Sequence, residues 1–187
     1  MTDKEFLEDY FNRYEKVLFQ TDVTSELTAT KELFQKIKNG RKKVMFAGNG
    51  ASATIASHAA LDFTKQAKVQ GLCFNEDALI TAFANDFGYE NWVARAIEHY
   101  YQEGDAVVLI SSSGSSKNIV NAAKTAKELG IKVITFSGFG PDNTLKSLGD
   151  INFWVESKAY NIIEHAHSIW LLAVVDMILG KAEYSVS

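Results

Sequence analysis

Six consecutive residues, Ser111-Ser112-Ser113-Gly114-Ser115-Ser116, carry five hydroxyl groups and one glycine between a β-branched run and a helical stretch. Between a strand and a helix, such a turn aims side-chain donors and the unpaired backbone N–H groups of the first helical turn at one anion. Small residues suit the task. Gly114 lets the backbone approach a ligand without a Cβ, the serines donate without bulk, and the helix dipole favours a phosphate monoester. No lysine follows in the Gly-Lys-Ser/Thr pattern of a nucleotide loop, so a monophosphate fits better than a nucleotide. In isolation the stretch is equally a turn whose Ser115 or Ser116 caps a helix. Context favours the anion: Gly48-Asn49-Gly50-Ala51-Ser52 repeats the strand-to-helix placement one unit earlier, and two such turns at one sheet edge can share a ligand.

The elements that must position these turns follow from hydropathy patterning. Apolar residues at helical spacing predict helices over residues 3 to about 20 and 23 to about 39, the second stopped by Asn39-Gly40. Lys43 to Ala47 reads as a strand, with Ser52 placed to cap a helix running to about Gln66. Leu72-Cys73-Phe74, Ala106 to Ile110, Lys132 to Ser137 and Ile151 to Val155 read as four more strands. The intervening helices are expected near 78–84, 89–100 and 116–129, and a long one from about Asn161 to Leu179. Nearly all-apolar strands alternating with helices imply a parallel sheet covered on both faces, with the site at the carboxyl ends of the strands.

Composition narrows the function. The 187 residues suit one domain, 1–187, with a helical N-terminal extension over 1–40. A net charge of −4 without a basic run argues against a broad nucleic-acid surface. The single cysteine, Cys73, cannot form an internal disulfide, and the acidic start resembles no export signal, so the cytoplasm is the expected compartment. The apolar run Ile169 to Val175 is too short to span a bilayer and reads as a buried helix segment.

At Gly48-Asn49-Gly50-Ala51-Ser52, His58, Asn85-Asp86-Phe87-Gly88-Tyr89, Glu103-Gly104-Asp105 and Ile110 to Ser116 the sequence resembles the sugar isomerase (SIS) domain family, and within it the phosphoheptose isomerase group. The resemblance implies an α/β fold, a three-layer αβα sandwich with a five-stranded parallel sheet of flavodoxin-like kind. It further implies a homotetramer with sites at subunit contacts and conversion of sedoheptulose 7-phosphate to D-glycero-D-manno-heptose 7-phosphate. Carried over by position, Ser52, Ser111, Ser113 and Ser116 would bind the phosphate with Ser112 beside them, and Asn49 and Asp86 would line the sugar pocket.

The catalytic positions depart from the family pattern. Its His and Glu, four residues apart after the first turn, are here His58 and Asp62. Matching Glu164 to the Glu of the family's last helix puts Ile163 at a Gln position and Leu171 at a His position. Positions 163, 167 and 171 fall within ~80° of one another on a helix, so His167 stands on the same face, while His165 points away. An aldose–ketose isomerase needs one group for the carbon-bound proton and another for the oxygens. The expectation is Asp62 as base, His167 as acid and His58 orienting the sugar; the same three would give a zinc ion three ligands and an open position. The competing readings make His58 and Asp62 a local helix pair, and His167 a hydrogen-bonded core or interface histidine. A rival class keeps the phosphate site without catalysis, as a sugar-phosphate sensor or a tetramer that binds a replication initiator; a third reading is an isomerase of another sugar phosphate.

Overall fold

The computed structural model describes residues 1–184. Five short strands carry the core: β1 (Lys43–Ala47), β2 (Gln70–Cys73), β3 (Ala106–Ser111), β4 (Lys132–Ser137) and β5 (Ile151–Trp154). All pair in parallel, in the order β2-β1-β3-β4-β5. Parallel neighbours need crossovers, and the helices that make them cover both faces. Around the sheet run α1 (Asp3–Phe19), α2 (Thr24–Asn39), α3 (Ala51–Lys65), α4 (Asp77–Phe87), α5 (Trp92–Tyr100), α6 (Lys117–Glu128), α7 (Thr144–Leu148) and α8 (Tyr160–Leu179).

The period-two alternation of the strands divides the core. Val44, Phe46, Val108, Ile110 and Phe136 pack with α2, α3 and α8, and Met45, Ala47, Val107, Leu109 and Val133 pack with α5, α6 and α7. By length and composition α8 is the one helix among the described residues able to cross a bilayer. Its Ile162, Ile163, Ala166, Trp170, Leu171, Val174 and Val175 instead fill the first core, as expected of the apolar run.

The far end of the sheet is clamped by buried Asp105, which accepts from the backbone N–H of Lys43 (3.0 Å) and of Gln102 (2.8 Å). Gly104 beside it has φ +90°, so the Glu103-Gly104-Asp105 motif is a turn that locks β1 to β3. The expected elements are present, with β2 beginning earlier, at Gln70, and α5 later, at Trp92. The sequence reading omitted α7, whose start is capped by the Asn143 side chain accepting from the Lys146 N–H.

Candidate functional site

Between β1 and β3 the chain changes the direction in which it adds strands, and the crevice past their carboxyl ends is where open α/β sheets bind ligands. Both glycine-containing turns open there. At Gly48 a Cβ would lie 2.5 Å from the Ser52 carbonyl, so the first turn closes only on glycine. Gly114 has φ +66°, and a Cβ on it would collide with the Asn143 side chain. Asn143 in turn donates to Gly140 O at 2.9 Å and to Gly138 O at 3.2 Å, and the Leu145 N–H donates to Gly114 O at 2.9 Å. The serine turn is thereby braced by the loop after β4.

The resulting cavity holds about 140 Å³. Asn49 and Ser52 line it from the first turn, Ser111, Ser112, Ser113 and Ser116 from the second, and Tyr160 and Glu164 from α8. Ser111 Oγ donates to Ser116 Oγ at 3.0 Å, and Ser112 Oγ donates to Glu164 Oε1 at 3.4 Å. The expected capping role of Ser52 is not adopted. Helix α3 begins at Ala51, with Gly50 (φ +56°) at its cap position two residues before Ser52, and Ser52 lies buried in its first turn. Ser116 stands at the cap position of α6 without capping it, its hydroxyl being turned to Ser111. Among the described residues neither helix has a side-chain cap; the Ser52 N–H turns back to Asn49 O at 3.1 Å and the Ala53 N–H to Gly50 O at 3.0 Å, while the two positive helix ends still face a common anion position. A wider groove of about 380 Å³ between α5 and α6 contains none of these residues, and its Arg95 is paired with Glu98 at 2.7 Å.

The two turns are tied by a reciprocal amide pair. Asn49 Nδ2 donates to Asn118 Oδ1 at 2.9 Å and Asn118 Nδ2 to Asn49 Oδ1 at 2.8 Å, with the Tyr89 hydroxyl donating to the same Asn49 oxygen at 3.1 Å. Asn118 is buried. Asn118→Ala is expected to cost about 1–3 kcal/mol in urea unfolding and to weaken phosphate-ester binding by about tenfold, because Asn49 loses two bonds and the turns lose register.

The remaining candidates fall elsewhere. His58 Nε2 lies 3.2 Å from Asp62 Oδ2 on the outer face of α3, with the His58 side chain half exposed. Asp62 also faces α8: the Asp176 carboxyl is pushed up, first by burial and then by the negative charge of Asp62. Asp86 is exposed near the end of α4, accepts from Asn85 and does not line the cavity.

His167 does not join the His58–Asp62 pair. It is fully buried, its Nε2 lies 3.0 Å from the Ser137 carbonyl, and its ring packs edge-on against Phe136. Ile163 and Leu171, on the same helix face, are equally buried in the core. A Cβ on Gly138 would lie 2.7 Å from Ile163 Cδ1, so this face of α8 is seated on the sheet. Among the described residues no three His, Cys, Asp or Glu side chains are grouped to hold a metal ion. The donor set expected for zinc does not fit, because one of its three members spends its Nε2 inside the core.

Sequence reasoning overlooked Asn118 and Tyr160 and used Glu164 only to set the register of α8. The available signal was that positions 160 and 164 stand one turn apart at the start of a helix that must cover the sheet edge.

The SIS domain family model matches residues 8–138. The phosphoheptose isomerase of Campylobacter concisus is 34% identical over 148 residues, covering 76% of this chain and 77% of that protein. The solved phosphoheptose isomerase of Francisella tularensis superposes with a TM-score of 0.87 at 26% identity, covering 97% of this chain and all of the other. For that of Neisseria gonorrhoeae the TM-score is 0.82 at 25% identity, over 95% and 99% of the two chains.

Proposed function

This chain belongs to the SIS domain family, and on that premise we propose that it is a phosphoheptose isomerase that converts sedoheptulose 7-phosphate to D-glycero-D-manno-heptose 7-phosphate. The observation that carries the reading is the cavity at the β1/β3 switch point, where a serine turn and two uncapped helix ends converge. In this reading Ser52, Ser111, Ser113 and Ser116 hold the phosphate, and Asn49 fixes the turn beside it. Asp62 takes the proton from C1 and returns it to C2 of the enediol, and His58 serves the oxygens in place of the buried His167. No step runs through zinc, for which the donor set is broken. We read residues 1–187 as one domain working as a cytoplasmic homotetramer. The exposed Phe6, Leu7 and Phe11 of α1, Leu61 of α3 and Ile169 of α8 supply apolar surface for that association.

Incubating the protein with sedoheptulose 7-phosphate, with and without added zinc, and following aldose formation tests the reading. Saturable conversion is expected. One observation favours a second reading, a sugar-phosphate-binding protein without turnover: Ile163, His167 and Leu171 give the cavity no polar group. Saturable binding without conversion would select it, and no binding of any sugar phosphate would sink both.

A further inference from the structure

Glu164 is the one carboxylate among the described residues lining the cavity, and no lysine or arginine lines it to balance that charge. There it accepts from the Ser112 hydroxyl at 3.4 Å, a long bond that leaves most of its acceptor sites open. A carboxylate beside the serine turn repels a dianionic phosphate, and the repulsion grows as the ligand displaces water. The arrangement favours binding only if the ligand brings hydrogen-bond donors close to its own phosphate.

Tyr160, one helical turn before Glu164, lines the same wall. Its ring is met edge-on by Phe139, with centroids 5.2 Å apart. Phe139 holds φ +57°, a conformation that is costly for a bulky aromatic, and its N–H donates to Ser157 O at 2.9 Å. The wall therefore presents an aromatic surface and a carboxylate side by side. A polyol chain, with hydroxyls projecting from a C–H backbone, matches both.

We infer that Glu164 determines specificity by accepting hydrogen bonds from hydroxyls on the carbons next to the phosphate ester, so that the cavity takes polyol phosphates and rejects alkyl phosphates and free inorganic phosphate. The inference deepens the isomerase reading and rests on its phosphate cradle, independently of turnover. Glu164 answers the phosphate end of the sugar and Asp62 the reacting end.

Glycerol 3-phosphate and propyl phosphate form a matched pair of probes, alike in size and differing in the two hydroxyls. Titrated against the full-length protein by calorimetry, the wild type is expected to prefer glycerol 3-phosphate by about tenfold or more. In Glu164→Ala the preference should collapse to within about twofold while propyl phosphate and inorganic phosphate bind more tightly, a crossing of signs that loss of structure would not produce. Glu164→Gln, which keeps one acceptor and loses the charge, should bind inorganic phosphate more tightly and retain part of the preference. An undiminished preference in Glu164→Ala, or weaker binding of every phosphate by both variants, would overturn the inference. Failure of the wild type to bind either ester would overturn the cradle and the inference with it. A wild type that shows the preference without isomerising sedoheptulose 7-phosphate would refute the isomerase reading alone.

Discussion

Asp62→Asn is expected to lower turnover of sedoheptulose 7-phosphate by about 10²–10⁴-fold while the ligand still binds within about threefold of wild-type affinity. The substitution keeps the shape of the side chain and removes the proton acceptor. Geometry gives the reason for choosing this carboxylate. Ser52 and Asp62 stand ten positions apart on α3, about 15 Å along its axis. That places the phosphate at the start of the helix and the base well down it, a separation suited to a long sugar phosphate. Initial rates and calorimetric binding on the same preparations separate the two effects. Unchanged kcat in Asp62→Asn would remove Asp62 from catalysis. Equal losses of kcat and affinity would make it a binding or folding residue instead.

The serine turn and the cavity it lines were readable in advance and the burial of His167 was not, for a physical reason. A strand–glycine–helix turn is a local object: Ser111 to Ser116 must take nearly the same shape wherever it occurs, since Gly114 needs positive φ and the helix that follows must begin with free N–H groups. The sheet was legible on similar grounds, its β-branched runs being buried on both faces. Helix α7 escaped because five residues are too few for a period, and its start depends on Asn143, whose partners lie in the loop after β4. Ser52 misled because a serine near a helix start resembles a cap, whereas the cap position falls two residues sooner, at Gly50. His167 misled for a different reason. Helical geometry places residues 163, 167 and 171 on one face, but which partner that face meets is decided by side chains distant in sequence, Phe136 and the missing Cβ of Gly138.

The burial that removes His167 from the proposed chemistry makes it an acid-sensitive group of the fold. Its Nε2 faces the Ser137 carbonyl, which can only accept, so the neutral ring must carry its proton on Nε2. Its Nδ1 is buried and has no partner among the described residues. A second proton would have to enter there, against apolar packing. Burial accordingly pushes the imidazole down to about 4, opposed only by the bond to Ser137, from an ordinary value of 6.5. Between these values the unfolded chain binds the proton and the folded chain does not, so stability rises with pH across that interval. The contribution is fully present above pH 6.5 and falls by about 3 kcal/mol as pH drops to 4, each unit being worth 1.36 kcal/mol. Asp176, whose carboxyl is pushed up, acts in the opposite sense and must be cancelled by comparison. His167→Gln can still donate to Ser137 and does not titrate. Urea unfolding of both proteins from pH 4.5 to 8 should give a stability difference that moves by about 2–3 kcal/mol in favour of the variant on acidification, even if Gln packs less well at pH 8. Parallel pH profiles would mean that the folded protein accommodates the charged ring, and that His167 is not confined as the Phe136 and Ser137 contacts require.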